Sequence, residues 1–474
     1  MIATVPLLLA LFFLGAGFAV GAARDSRGAR LLGVLMACVA LCAATVALLG
    51  EQMAHSFNGE VVPWLQSGGV FSVAPVVTSL VALLAVGLAP VTTHRPATMA
   101  RIMYLMACAQ AFLATDDTAA LAVLFGLSAA IVWRELRSDP ETARWHRVFA
   151  LYQGVSVALF AGGSALLWDG GHAPVGIVLV LAGIAVRQGV LPFHSWFPSL
   201  VQRAPMGVVV AFAAPQLGMC AHLQLLAQHP LDDLAPLIAG FGATTAVLAA
   251  MLGVVQRDPR RSLAYLILSQ TGLVAFGLAS HTREGITGAL LNWQLLALAT
   301  SGFAMVMAAL QARRGRQSMT RPQGNFSQTP RLGVAFLVLG FASVGFPMTI
   351  GYIAEELLVQ GTVAEYPMLG LSLVVATAFN GMNVLRAFFC LFSGTRKSVG
   401  EPDLGLRERA IVTLAMAILL VFGAIPRLMV SLDEPSPSVE PSGHVAPTDG
   451  AAPTAAALSG PTGSAPAQPS GPTG

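Results

Sequence analysis

Three stretches hold the residues best placed to do chemistry. RQGVLPFHSWFPSLVQRAP, residues 187–205, sets two arginines, a histidine and three prolines between apolar runs. GFASVGFPMTIGYIAEELL, residues 340–358, puts Gly345, Pro347 and Gly351 just ahead of Glu355 and Glu356. NGMNVLRAFFCLFSG, residues 380–394, carries Arg386. His222 and Gln216 lie in another apolar run. Histidine titrates near neutral pH, a carboxyl group takes up and releases a proton, and arginine keeps its charge under essentially all conditions. Ionisable groups at membrane depth cost several kcal/mol unless paired or hydrated, so each is a functional candidate. Proline removes an amide donor and kinks a helix. The carbonyls it frees are satisfied only by protein or by a wet cavity. Two Gly/Pro-interrupted spans with ionisable residues beside them point to a transport path built from repeats. The candidate path residues are Arg187, His194 and Glu355; Gln216, His222, Arg386 and Glu356 are further path members or polar contacts between helices.

The elements that must position these residues are membrane helices. The chain has 474 residues, 55% hydrophobic and 10% charged, with a mean hydropathy of +0.72; a soluble domain is about 25% charged. Scanning for runs near the length of about 20 residues that crosses a bilayer core gives fourteen, at 2–22, 31–50, 73–92, 99–115, 117–134, 147–168, 173–195, 204–227, 233–255, 261–281, 286–310, 332–357, 367–393 and 408–430. Loop arginines follow the odd-numbered runs, from Arg24, Arg27 and Arg30 through Arg95 and Arg101, then Arg134 and Arg137, to Arg396, Lys397, Arg407 and Arg409. The even loops hold Asp116, Asp117, Asp169, Asp232, Asp233 and Glu365, and only Arg283 interrupts them. Because cytoplasmic loops collect Lys and Arg, this alternation puts both termini on the non-cytoplasmic side of a bacterial-type inner membrane. The first run has no basic residue before it, which favours a retained helix over a cleaved signal.

The net charge of +3 comes from these loop arginines and implies no nucleic-acid partner. The five cysteines fall inside the runs without a Cys-x-x-Cys pair, so no zinc or iron–sulfur spacing is present, and no cofactor is expected. Four segments are expected: N-terminal membrane helices over 1–98, a membrane domain over 99–395, a last helix within 396–432, and a Pro/Ser/Gly/Ala-rich tail over 433–474 that is too poor in apolar residues to fold.

Read together, the motifs carry a resemblance. LPFHSWFP at 191–198 followed by Ala204-Pro205 resembles a signature of the antiporter-like subunits of respiratory NADH:quinone oxidoreductase (complex I) and of the multisubunit cation/proton antiporters. DPRRSLAYLILSQTG at 258–272, GFPMTIGYIAEELL at 345–358 and the asparagine-to-arginine stretch at 380–394 are similar to three further segments of that family, in the same order. The resemblance covers roughly residues 100 to 395. It implies an all-α fold of about fourteen transmembrane helices with two inverted five-helix repeats, each containing a broken helix. It also implies proton or cation movement along a polar axis, and partnership with other membrane subunits and a soluble driving module, with no redox centre in this chain.

The departures from the family are informative. The family lysine five residues before the first signature proline is Arg187 here, and the glutamate expected in the fifth run falls on Gly126. A lysine of the eighth run matches Gln216 across a short gap, while a later histidine and lysine fall on Trp293 and Ala297. The one lysine of the chain, Lys397, sits in a loop. A buried lysine can cycle its proton, whereas arginine cannot. Two alternatives therefore stand beside conduction: a non-conducting scaffold, and the membrane subunit of a bacterial inorganic-carbon uptake complex.

Overall fold

Inside a bilayer a helix satisfies its own backbone, and the apolar runs fold accordingly. The structure, a computed structural model, describes residues 4–57, 69–138, 145–169, 172–229, 231–395 and 403–425. Among these residues there is no strand. Six helices precede the first break: α1 Thr4–Gly21, α2 Ser26–Phe57, α3 Gly69–Gly87, α4 Pro96–Leu113, α5 Thr118–Ser138 and α6 Trp145–Asp169. Then come α7 Ala173–Gln188, a 3-10 turn Phe193–Ser195 and α8 Trp196–Arg203, followed by α9 Met206–Ala213 and α10 Leu217–Gln228. The rest are α11 Ala235–Val254, α12 Pro259–Leu278, α13 Arg283–Arg314, α14 Pro330–Ala342, α15 Ile350–Glu365, α16 Pro367–Phe392 and α17 Leu406–Ala424. Among the described residues, nine helical segments are long and apolar enough to cross a membrane, or ten when α7 and the segment Phe193–Arg203 count as one span bent by 41°. The tail over 433–474 and the loop residues Arg396 and Lys397 lie outside the described residues.

The helices are arranged around two buried rods. α12 is buried along nearly all its length, as is α13, which runs for 32 residues. By contrast α1, α5, α6, α11 and α16 turn exposed apolar residues such as Leu8, Leu127, Leu151, Leu237 and Leu371 outward. A helix hydrophobic all round belongs in the interior, and one facing hydrocarbon shows leucine there. The start of α12 is fixed by Asp258, whose side chain accepts hydrogen bonds from the Arg260 and Arg261 amides; this is the N-cap role that aspartate fills well. The basic connector after α13 is tied to the end of α16, where Gln323 N donates to Cys390 O at 2.9 Å and Asn325 Nδ2 to Leu391 O at 2.7 Å.

Among the described residues, three of the apolar runs are interrupted. The first break follows Gly189, whose φ of 68° is left-handed and suits glycine at a helix C-terminus. The Val186 carbonyl accepts from the Gly189 amide at 3.2 Å and from the Trp196 indole at 3.1 Å, and Leu191 N donates to Thr245 Oγ1 at 3.1 Å. The second lies between α9 and α10, where Gln216 has a φ of 43° after Pro215. The third lies between α14 and α15, with Gly345 at 72° and Met348 at 71°. Its amides fold back locally, Phe346 N onto Phe341 O and Thr349 N onto Phe346 O.

Candidate functional site

Each break presents a polar side chain to the interior, and α12 links two of them. The spacing of Ser262, Ser269, Gln270 and Thr271 lays polar groups along this buried helix. Gln216, at the middle break, donates through Nε2 to Thr271 Oγ1 at 3.4 Å. Next along α12, Gln270 Oε1 accepts from Asn292 Nδ2 of α13 at 3.1 Å. Asn380 Nδ2 of α16 donates to Ser269 Oγ at 2.8 Å, and Asn383 Nδ2 to the Ser262 carbonyl at 3.2 Å. A cavity of about 10 Å³ opens beside Gln216 between α9, α12 and α13, lined also by Thr300 and Ser301. It is the size of one water molecule.

Glu355 stands at the end of this polar line. Its carboxyl is buried, and it packs over Gly345 in the break, where a side chain on residue 345 would collide with it. Gln270 and Thr377 approach the carboxyl, yet Glu355 Oε1, Gln270 Nε2 and Thr377 Oγ1 each lack a direct hydrogen bond. The apolar run ending at 357 puts Glu355 near a helix end, but α15 continues to Glu365, so Glu355 is the sixth of its sixteen residues. The polar residues after 357 do not stop the helix because Thr362, on the same inner face, is buried and bonded to the Leu358 carbonyl at 2.6 Å.

Arg187 is held differently. It is buried, with Nη1 donating to Phe125 O at 3.2 Å and to Gln153 Oε1 at 3.4 Å, and Nη2 to Ser128 Oγ at 2.8 Å. Its guanidinium carbon lies 4.4 Å from the Phe125 ring centroid and 4.2 Å from that of Phe212. Among the described residues no carboxylate pairs with it. Cation–π contacts out of water are worth about 2 kcal/mol, so two aromatic faces and three neutral acceptors replace a counter-ion. Gly126 points instead toward Val157, which a Cβ there would meet at 3.3 Å.

The remaining candidates divide. His222 is buried on α10 with Nε2 unpartnered. His194 sits half-buried in the first break, its ring 6.3 Å from that of Tyr265, and makes no hydrogen bond to Arg187. Arg386, read from sequence as deep in its span, lies two turns from the end of α16 and donates to the Gln256 carbonyl at 2.7 Å, closing the end of α11. Glu356 is exposed on the outer side of α15. Arg187 and Glu355 are therefore in separate surroundings, each at its own break.

Sequence reasoning missed several polar residues. Gln270, Asn292, Thr377 and Asn380 are neutral and vanish in a hydropathy scan; their signal is the amide-rich character of otherwise apolar runs. Glu135 was also missed: it is buried, pairs with Arg101 and accepts from Thr98 Oγ1 at 2.9 Å. Arg101 is thus inside α4, not in a loop. Beyond the C-terminal end of α12, His281 joins the loops after α10 and α12 to the last residue of α15. Its ring nitrogens face Glu365 Oε1 at 2.5 Å and Asp232 Oδ1 at 2.9 Å, while its amide donates to Glu365 Oε2 at 2.6 Å. The hydrogen bond to Glu365 chiefly raises the His281 pKa above its ordinary value, against a smaller desolvation effect.

Comparison with known proteins follows the same lines. The family profile described as NADH:quinone oxidoreductase/Mrp antiporter, TM, matches residues 156–380. Subunit N of the NADH-quinone oxidoreductase of Rhodobacter capsulatus is 26% identical over 291 residues, covering 58% of this chain and 61% of that protein. Subunit M of the Mycobacterium tuberculosis enzyme is 28% identical over 263 residues, covering 54% and 47%. The chain spans about half the length of the curated relatives it matches. A chain of the Mrp complex from Dietzia sp. superposes with a TM-score of 0.78 at 16% identity, covering 90% of this chain and 95% of that one. A chain of respiratory complex I from Thermus thermophilus superposes with 0.76 at 20%, covering 89% and 96%. At such identities the structural likeness is one of fold. The profile matches across the two outer breaks and the buried α12 between them, so the stretch over residues 156–380 is similar to the membrane segment of the NADH:quinone oxidoreductase/Mrp antiporter family.

Proposed function

We propose that the chain is a membrane subunit of a complex I-like or antiporter-like assembly and moves protons, or another small cation, through its interior. In this reading other membrane subunits and a soluble driving module are its partners. The fourteen apolar runs form a bundle of two inverted five-helix repeats over 99–395, in a bacterial inner membrane with both termini outside. Glu355 is the carboxyl group that takes up and releases the proton. Gln270, Asn292, Thr271 and Gln216 form the hydrogen-bonding line that leads to it, with His222 beside it. Arg187 supplies a fixed positive charge at the first break and passes no proton on; His194 lies toward the cytoplasmic exit. The observation that carries this reading is the Glu355 carboxyl, buried on α15 against Gly345 of the third break, with Oε1 unpartnered and the Gln270 and Thr377 side chains beside it.

A second reading is a scaffold that has lost conduction. It is favoured by Arg187, whose charge rests on aromatic rings and neutral groups, and by Gly126, which puts no carboxyl near it. Proton flux into liposomes holding the chain with its co-purifying partners separates the two. Flux that collapses in Glu355→Gln supports conduction; equal and negligible flux in both, in an intact and energised assembly, leaves the scaffold.

A further inference from the structure

The His281 ring meets two carboxylates at once. Through Nδ1 it faces Glu365, the last residue of α15, at 2.5 Å, and through Nε2 it faces Asp232, in the loop after α10, at 2.9 Å. A neutral imidazole has one N–H and one bare nitrogen, whereas the imidazolium donates from both. The two contacts together are therefore those of the charged ring. Losing the proton turns a lone pair toward one carboxylate and takes the charge from the other contact. The raised pKa of His281, set chiefly by its bond to Glu365, agrees with this. Glu365 and Asp232 are the charges that act on the ring. In the same loops Asp233 adjoins Asp232, Arg283 and Glu284 open α13, and the Tyr366 hydroxyl, next to Glu365, donates to the Ala279 carbonyl at 3.4 Å.

The helix that ends at Glu365 is the one that carries Glu355, and its seat on α13 is smooth. Gly288 of α13 lies against the α15 backbone, where a Cβ would meet Leu358 N at 2.6 Å and the Ala354 carbonyl at 2.9 Å. Gly361 of α15 lies likewise against Gly285 and Thr282. At these points no side chain is keyed between the two backbones, which suits the small sliding of packed helices. A helix moves as a unit through its own hydrogen bonds, so a slide at Glu365 reaches Glu355, ten residues earlier. There the carboxyl packs over Gly345 with Gln270 and Thr377 beside it. The His281 amide donates to Glu365 Oε2 at 2.6 Å whatever the charge on the ring, so the ring modulates an anchor that persists.

We propose that His281 is a positioning residue for Glu355. As the imidazolium it bridges Asp232 and Glu365 and holds α15 in place along α13; on deprotonation it lets α15 slide, so that proton exchange at Glu355 follows pH at the face bearing His281. This rests on Glu355 as the group that takes up and releases the proton. The side chains are partly exposed, His281 by 52%, Asp232 by 76% and Glu365 by 23%. Exposure keeps each contact weak, and the expected effect is severalfold, not all or none.

The test is proton flux in liposomes holding the assembly, with equal pH on both sides, raised in steps from below about 6.5, the ordinary histidine value. Wild type is compared with His281→Lys, which keeps a positive charge, and His281→Gln, which has none. Wild-type flux is expected to match His281→Lys at low pH and to fall about threefold or more below it as pH rises through the folded value of His281, with His281→Gln low throughout. Deuterium uptake by the peptide over residues 350–366, normalised to the α5 peptide at each pH, reads the release of α15 without any flux and without either variant. It is expected to rise over the same window in wild type. Uptake with no such rise, or measurable flux that keeps a constant ratio to that of His281→Lys at every pH, would overturn the proposal. Absence of flux in every form at every pH, with the rise in uptake present, would bear out the hold on α15 and remove the proton-carrying role of Glu355.

Discussion

Placing one methyl group in the third break tests whether the position of the Glu355 carboxyl matters. Gly345 has a φ of 72° and its Cα lies under that carboxyl. In Gly345→Ala the new Cβ would sit 2.9 Å from Oε1 and closer still to the carboxyl carbon, whereas ordinary contact begins at 3.4 Å. The backbone term follows from left-handed geometry, which costs a residue with a Cβ about 1–2 kcal/mol. The obstructing atoms are the far end of a flexible side chain, so the carboxyl yields while the helices stay put. It must retreat by about 1 Å, a misplacement of the size that costs about a hundredfold where position governs reaction. Thermal unfolding in detergent is therefore expected to show a modest loss, and proton flux in liposomes a loss of tenfold or more. The double variant Gly345→Ala/Glu355→Gln should conduct no worse than Glu355→Gln alone, since both changes act on one group. Flux within about twofold of wild type in Gly345→Ala, with the stability loss present, would refute the reasoning.

Two further outcomes follow from the geometry. Arg187→Gln removes two cation–π contacts and three hydrogen bonds; it should cost about 2 kcal/mol or more of stability while leaving the Glu355-dependent share of the flux. Loss of all flux in a stable Arg187→Gln assembly would place Arg187 on the route itself. His281 has a raised pKa in the folded chain, so its contribution is complete below the unfolded value of about 6.5 and is lost as pH rises through the folded value. Wild type should lose thermal stability over that window by a component that His281→Gln lacks; parallel curves would show that the contact with Glu365 and Asp232 adds nothing to stability.

Local punctuation in the sequence carried much of this architecture. Pro192 and the Gly345/Pro347 pair marked two breaks because proline and a left-handed glycine act on their own backbone. Pro215 carried the same signal for the break between α9 and α10, but it was hidden inside an unbroken apolar run. The resemblance to the family was legible from four ordered motifs, each built around such local constraints. What was not legible depends on residues far apart in the chain. Phe125 and Phe212 meet around Arg187 from α5 and α9, and nothing in either neighbourhood foretells a guanidinium. Arg101 reads as a loop arginine until Glu135, on the next helix, is seen to pair with it. Arg386 reads as buried charge until the Gln256 carbonyl at the end of α11 is found beside it. The amides of Gln270 and Asn292 are silent in a hydropathy scan, since hydropathy records cost and not partnership.

The central claim is that Glu355 changes protonation as the assembly works. Infrared difference spectroscopy of the intact, energised assembly reads this directly through the carbonyl stretch of a protonated carboxyl group. The account predicts a carboxyl band that appears or shifts on energisation in wild type and is missing in Glu355→Gln. An identical difference spectrum in the two, with the partners present and energised, would contradict it.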